Sequence, residues 1–353
     1  MAITIRLLQN QEVELANTFF NKVYQVNRPI ENFKWEFLDG PFGKAIYVIA
    51  VDETSITTTK IVGIQCAIPI ELISSKGKIV LTAKSEDTLV DPAYRGQKIF
   101  ERMYELLFDE CRKSGIQYLW GFTPAQKAFE RIGFEIPFKA EQALLVFNPL
   151  KAYYYLKSLN AKNTSVDKLK ILGLSILSWI KGFNRYFISL KDSDLREVLI
   201  RKKNDVFQTS YSDKDYFTLN ETDGYMKWRI DQNPFQNGYS CFQLHKNEKV
   251  SIDVILNVRA NVAYLEQMFS CQNETAPVLA SLAANASKKN VPLIRALCFS
   301  TNEELVLQGN QLTKAGFTYL KRGSYFVWKP LDPSTPISPN HLLLNRLFTQ
   351  GNN

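Results

Sequence analysis

Two rhythms of apolar residues alternate along the first half of the chain. A period of two puts successive side chains on opposite faces of a strand, and a period of three to four lines one face of a helix. The pattern predicts strands over residues 3–7, 45–51 and 61–70, the last two joined as a hairpin by the polar Thr/Ser segment 53–60. Residues 12–24 have helical spacing, and strand signals return at 78–82 and 88–90. Residues 99–113 read as a strong amphipathic helix, stopped by Ser114-Gly115. A strand follows at 116–122, then a short helix at 125–132 closed by Gly133, then a strand at 143–147. Hairpins followed by a strand–helix–strand unit predict an α+β domain, with a mixed, mostly antiparallel sheet flanked by helices.

The second half repeats parts of this plan. Trp35 and Trp228 each open the string W-x5-P-F, closed by Pro41-Phe42 and by Pro234-Phe235, and each string precedes an aromatic strand. A helix stopped by Gly-Phe comes late in both halves, at Arg131-Ile132-Gly133-Phe134 and at Lys314-Ala315-Gly316-Phe317. Ahead of each lies a helix and then a strand, over 100–119 and 278–297. Several features in one order predict a duplication, with two unrelated α+β domains as the alternative. The expected division is 1–148 for the first domain, 149–196 for a helical linker, 197–330 for the second domain and 331–353 for a C-terminal tail. The tail carries Pro333, Pro336 and Pro339 and is where disorder is expected.

Of the 353 residues 45% are hydrophobic, enough for a core in each half. The formal net charge of +8 favours anionic partners without choosing among nucleotide phosphates, nucleic acid, acidic sugars and lipid. No zinc-finger or RNP-like pattern is present, so no nucleic-acid partner is expected. Cys66, Cys111, Cys241, Cys271 and Cys298 form no CxxC pair, and no apolar signal core precedes them; free thiols in a reducing cytoplasm are expected. His245 and His341 lie far apart without ligand-spaced neighbours, so no metal site is expected. The apolar run 169–180 is too short to span a bilayer. Its helix carries Trp179 and is flanked by Lys168, Lys170, Lys181 and Arg185. Two placements are open for it: packed between domains, or lying on an anionic membrane surface through 166–187.

The stretch from Thr88 to Phe100 holds the chemistry. A strand ends at Val90, Pro92 sets a turn, and a short loop containing Gly96 opens a long helix. Unpaired amides at the helix N-terminus, reinforced by the helix dipole, make an anion site suited to a pyrophosphate. Gly96 has no side chain to block close backbone approach, and Arg95 and Lys98 add positive charge. The plain alternative is an ordinary strand–turn–helix with a basic loop.

This stretch resembles the coenzyme motif of the GNAT acetyltransferase family, V-x-P-x-Y-R-G-x-G-x-G/A. Val90, Pro92, Tyr94, Arg95 and Gly96 match it, and Phe129-Glu130-Arg131-Ile132-Gly133-Phe134 looks like the family's Y-E-K-L-G-F. The resemblance covers roughly residues 3–147, and the second half through the repeat. It implies two tandem GNAT-like domains, with acetyl-CoA as co-substrate in a V-shaped opening between two splayed parallel strands of the first. Main-chain atoms of Leu89 and Val90 would pair with the pantetheine arm. The loop and helix amides of Arg95, Gly96, Gln97, Lys98, Ile99 and Phe100 would hold the pyrophosphate. An amine of a small molecule or sugar nucleotide would attack the thioester directly.

The chain departs from the family pattern at three positions. Lys98 and Phe100 stand where the motif has glycine; Lys98 fits if its φ is negative, and Phe100 is expected to pack under the loop. Phe129 replaces a tyrosine that often protonates the leaving thiolate, and phenylalanine has no proton to give. For the base, Glu86 and Asp87 precede the loop on the central strand. Neighbouring strand residues face opposite sides, so at most one faces the cleft. Glu86, which shares the side of Val90 in a regular strand, is preferred; a β-bulge would reverse the choice, and solvated edge charges are the alternative. Residues 252–279 of the second half lack a glycine or basic loop before their helix. That half is expected to be degenerate, with Trp228, Phe235 and Tyr239 either lining an acceptor pocket or filling a core. Two other readings remain: a non-catalytic acyl-CoA-binding or regulatory module, and a Fem-type transferase, similar in tandem architecture, that uses aminoacyl-tRNA and no CoA.

Overall fold

The computed structural model describes residues 3–54, 59–159, 164–189, 196–198, 215–235, 238–246, 249–259, 261–270, 291–298, 312–314 and 316–348. In chain order the first half gives β1 (Ile3–Leu7), α1 (Val13–Tyr24), α2 (Ile30–Phe37), β2 (Ile46–Asp52), β3 (Lys60–Ser74), β4 (Ile79–Val90), α3 (Ile99–Lys113), β5 (Tyr118–Thr123), α4 (Gln126–Arg131) and β6 (Glu135–Val146). Then come α5 (Pro149–Ser158), α6 (Ser165–Ser189), β7 (Arg196–Val198), β8 (Phe217–Leu219), α7 (Asp223–Met226), β9 (Gly238–Lys246), β10 (Lys249–Arg259), β11 (Val262–Ser270), β12 (Leu293–Cys298) and β13 (Thr318–Pro330). The two strand signals at 78–82 and 88–90 are one strand, β4. The helix expected from residue 278 onward lies outside the described residues.

Contacts group the chain into two compact units, neither contiguous in sequence. One holds Met1–Pro137, Phe217–Phe235 and Tyr325–Pro339; the other holds Phe138–Tyr216, Gln236–Ser324 and Asn340–Asn353. The expected linear division at 148, 196 and 330 therefore cuts through both. Strand order gives the reason. The first unit runs β1-β2-β3-β4-β5 and closes on the end of β13; the second runs β7-β9-β10-β11-β12 and closes on β6. The plan is the same in both, with one parallel pair each, β4 with β5 and β11 with β12. Only the last strands are exchanged. β13 pairs antiparallel with β5 from Tyr118↔Pro330 to Thr123↔Tyr325, and β6 pairs with β12 from Leu293↔Val146 to Cys298↔Glu141. The chain thus carries two tandem folds of one plan, each completed by the other repeat's final strand.

Alternation along the strands of the first unit feeds two cores. Val48, Ala50, Ala67 and Ala83 face α3, whose Met103, Tyr104, Leu107, Phe108 and Cys111 make one buried stripe. Ile49, Ile64, Cys66, Ile68 and Leu89 face α1 and α2. α3 keeps its predicted bounds because that stripe is regular and Gly115, at φ 73°, ends it. α2 was not legible: it buries Asn32, Phe33, Trp35, Glu36 and Phe37, so polar and apolar residues are inside together and no stripe marks the helix.

The W-x5-P-F repeat has a direct structural counterpart in the first unit. Trp35 and Trp228 stack with ring centroids 4.6 Å apart and 17° between planes. Each indole Nε1 donates to the other's backbone carbonyl, at 3.0 and 2.9 Å. Trp228 is core, 2% exposed, and Phe235 is half-buried and packs edge-on against Trp35.

The tail is not disordered over its described part. Tyr118 Oη donates to the Thr335 carbonyl and accepts from the Ile337 amide in the first unit. Leu342, Leu343, Leu344 and Leu347 are buried in the second. The tail forms two short 3-10 turns, Pro339–His341 and Arg346–Phe348, and its leucines supply the burial that orders it.

Candidate functional site

β4 and β5 are bonded in parallel at Thr82↔Tyr118, Ala83↔Leu119 and Lys84↔Trp120, and no further. At the next step they still touch: a Cβ on Gly121 would meet the Ser85 carbonyl at 3.0 Å. Beyond it β4 continues to Val90 and β5 to Thr123 without pairing, so the sheet opens between two parallel strands. Opposite Gln65 the register of β4 slips by one residue, and Asp87 takes a left-handed φ of 49°. This is a β-bulge at the mouth of the opening.

The loop after β4 is tied at its start and free at its crest. Asp91 Oδ1 accepts from the Ala93 amide at 2.9 Å, setting the turn at Pro92. The buried Tyr94 donates to Asp52 Oδ2 at 2.5 Å and accepts from Lys60 Nζ at 2.7 Å. Hydrogen bonds from Tyr94 and then Thr54 hold the Asp52 carboxyl down to about 2. Arg95, Gly96, Gln97 and Lys98 are exposed, while Ile99 is buried. Gly96 has φ 84° with nothing within 4 Å of an added Cβ, so the backbone conformation, not crowding, asks for glycine. Lys98 also has a positive φ, 56°, contrary to the expectation of a negative one. It caps α3 in the left-handed region, where the family motif places a glycine. The first helical bond of α3 runs from the Arg102 amide to the Lys98 carbonyl. The amides before it have no intrahelical acceptor and face outward with the positive end of the helix dipole. Phe100 packs under the loop as expected, its ring 4.9 Å from Tyr104 and 5.7 Å from Phe129.

The bulge changes the carboxylate assignment. Val90 packs with the α3 core and Leu89 with the α1/α2 core. Glu86, ion-paired with Lys84, and Asp87, bonded to Tyr47 and Arg28, both lie on the α1/α2 side. Glu86 therefore does not share the side of Val90, and both carboxylates face one way because the extra residue breaks the alternation. Their situations differ. Asp87 accepts from Arg28 Nη2 at 2.9 Å, Arg28 Nη1 at 3.2 Å and Tyr47 Oη at 2.9 Å, and its side chain is 5% exposed. Burial raises its pKa more than Arg28 lowers it. The Glu86 side chain is 26% exposed.

A third carboxyl, missed in the sequence, joins them from α2. Glu36 is buried, and its pKa is pushed up to about 8, first by burial and then by the charges of Glu86 and Asp87. Lys84 and Arg28 oppose that rise. Arg28 itself lies over the Phe20 ring at 3.8 Å. These groups come from α2, β2, β4 and the loop after α1, so no local spacing announces them. The available signal was a glutamate between Trp35 and Phe37. On the α3 side, Tyr104 Oη bonds Ser85 Oγ at 2.7 Å and Thr88 Oγ1 at 3.3 Å, with its ring 5.6 Å from that of Phe129. Burial raises the pKa of this tyrosine.

Among the described residues no group of three or more His, Cys, Asp or Glu is arranged to hold a metal ion, and no helix is long and apolar enough to cross a membrane.

Residues 4–136 match the family described as acetyltransferase (GNAT) domain. No curated protein sequence matches the chain. Among solved structures, it is similar to a GCN5-related N-acetyltransferase from Anabaena variabilis at 10% identity and TM-score 0.58, covering 94% of this chain and 73% of that one. It is similar to a probable N-acyltransferase from Enterococcus faecalis at 10% identity and TM-score 0.60, with the same coverage. It also resembles Saccharomyces cerevisiae N-myristoyltransferase with bound myristoyl-CoA and inhibitors, at 14% identity and TM-score 0.57, covering 98% and 84%. At these identities the likeness is one of fold. The match over residues 4–136 covers less than half of the chain, and it makes that segment similar to the acetyltransferase (GNAT) domain.

Proposed function

We propose that this protein is an acyl-CoA-dependent N-acyltransferase that moves an acetyl group from acetyl-CoA to an amine of a small molecule or sugar nucleotide. The observation that supports this best is the opening between β4 and β5, with the Arg95–Gly96 loop and the α3 N-terminus beside it. Backbone groups at Leu89 and Val90 face the pantetheine arm, and the amides from Arg95 to Phe100 take the pyrophosphate. The amine nitrogen attacks the thioester carbonyl carbon and the C–S bond breaks. The amine proton passes to Glu86, the more exposed of the two strand carboxylates. Asp87 is a positioning residue, held by Arg28 and Tyr47. The thiolate takes its proton from water, since Phe129 has no hydroxyl to supply one.

Calorimetric titration with acetyl-CoA, on the wild type and Gly96→Asp, tests the site. Binding lost in the variant is expected, because a carboxylate would face the pyrophosphate. Equal affinity would remove the site assignment. Release of free CoA thiol over a panel of amines then tests transfer. Phe129 favours one competing reading, a coenzyme-binding module without turnover, which predicts binding and no thiol release with any amine. The likeness to an N-myristoyltransferase with bound myristoyl-CoA calls for that thioester in parallel. Faster turnover with myristoyl-CoA would correct the acyl group, not the reaction.

A further inference from the structure

The second unit repeats the strand opening of the first, and the chain fills it with its own C-terminal segment. β11 and β12 pair in parallel only at Ala263↔Ile294 and Tyr264↔Arg295, which correspond in strand order to Ala83↔Leu119 and Lys84↔Trp120. Just beyond, β11 slips register at Glu266, as β4 does opposite Gln65. A cavity follows, walled by residues 265–268 of β11, Leu297 of β12, and Leu312. Leu312 stands four residues before Gly316, as Phe129 stands four before Gly133. The cavity is therefore the second repeat's version of the place where the first would receive a thioester.

Residues 343–346 form the rest of its wall. Arg346 Nε lies 3.6 Å from Glu266 Oε1, with side chains only 4% and 2% exposed, and its guanidinium sits over the Tyr264 ring at 4.5 Å. Leu342, Leu343, Leu344 and Leu347 are buried around it. The space left is about 40 Å³, room for water and far too little for an acyl-pantetheine arm. Two atoms at this site, Glu266 Oε2 and Asn345 Nδ2, are buried without a hydrogen-bond partner among the described residues, as expected where a water completes the contact.

We propose that residues 342–347 are the resident ligand of the second cleft. The second repeat is then a peptide-binding site, selective for a leucine-rich segment that ends in a 3-10 turn carrying one arginine, and occupied in cis. This also closes the second cleft to coenzyme, so that one acyl-CoA binds per chain. The peptide site stands whether or not the first repeat transfers acyl groups; only the coenzyme count rests on that reading.

Hydrogen exchange on the unaltered protein is the first test. The amides of 342–347 are expected to exchange at least about 100-fold slower than an unstructured chain. Random-coil exchange there would overturn the proposal. Arg346→Glu sets like charges beside Glu266 and is expected to release the segment, with exchange rising at 342–347 and unchanged in α3. A synthetic peptide of residues 339–350 should then bind the variant and not the wild type. A released tail with no peptide binding, or equal binding to both proteins, would overturn the proposal. If Arg346→Glu fails to fold, Leu343→Ala gives the same comparison with a milder change. Two equivalents of acyl-CoA per chain would also overturn it.

Discussion

Glu36 couples the charge cluster to pH. Its folded pKa of about 8 lies above the ordinary 4.5, so the folded state binds the proton more tightly than the unfolded chain does. The stability this contributes is complete below pH 4.5 and is lost as pH rises through about 8. Glu36→Gln keeps the shape and cannot ionise. Thermal melts of the variant and wild type should therefore lie close together near the acid end of that window and diverge toward alkaline pH, the variant melting higher. Parallel curves across the window would show that Glu36 is not protonated in the folded state. Lys98 makes a different prediction. A non-glycine residue in the left-handed region costs about 1–2 kcal/mol, so Lys98→Gly is expected to raise the unfolding free energy by about 1 kcal/mol in a urea titration, after the extra chain entropy of glycine. A loss of stability would mean that the Lys98 side chain holds contacts of its own. The packing of Phe100 under the loop was legible because it depends on the side chain, whereas the positive φ of Gly96 is a backbone fact. The φ of Lys98 and the bulge at Asp87 are backbone facts that a residue name does not carry.

At the scale of elements, α3 was legible and α2 was not, for one reason: a buried stripe is visible in a sequence only when the other face is wet. α6 shows the reverse case. Trp179 turns inward, against the core of the second unit with Tyr264 and Leu293. Val166, Leu169, Leu172, Ile176, Leu177 and Ile180 are exposed, at helical spacing on the opposite face. Lys170 and Lys181 are exposed beside them, and Lys168 is half-buried. An exposed apolar stripe with basic residues at its ends is the composition that lets a helix lie on an anionic lipid surface, and we propose that α6 does so. Sedimentation with vesicles is expected to carry down the protein when they contain phosphatidylglycerol and to leave it in solution with phosphatidylcholine alone. Leu169→Asp with Leu177→Asp should abolish the association without changing coenzyme affinity. Equal sedimentation of wild type and double variant would rule out this face, and concentration-dependent dimerisation lost in the variant would assign it to a second copy instead.

At the scale of the whole molecule, the duplication was legible and the exchange of strands was not. The W-x5-P-F strings and the paired Gly-Phe stops survive as sequence, and in the structure they become the reciprocal Trp35–Trp228 pair and two runs of strands in one order. The last strands of the two repeats occupy matching registers, 141–146 on β12 and 325–330 on β5. Repeats share their apolar pattern, so either strand satisfies either sheet by pattern alone, and periodicity has no means of telling its own partner from the other's. The consequence is physical. A fragment ending at residue 148 lacks the strand that covers β5 and would leave its row of backbone donors and acceptors open along buried aromatics such as Trp120. It also lacks Trp228, so Trp35 loses its stacking partner and the acceptor for its indole N–H. Residues 1–148 expressed alone are therefore expected to show no cooperative thermal transition and to aggregate. Mixed with residues 149–353 during refolding, they should regain both a single transition and acetyl-CoA binding. A fragment 1–148 that unfolds cooperatively and binds acetyl-CoA unaided would show that β13 is dispensable to the first sheet. Failure of each fragment alone with success together would mean that the two repeats fold as one cooperative system, because neither owns all of its strands.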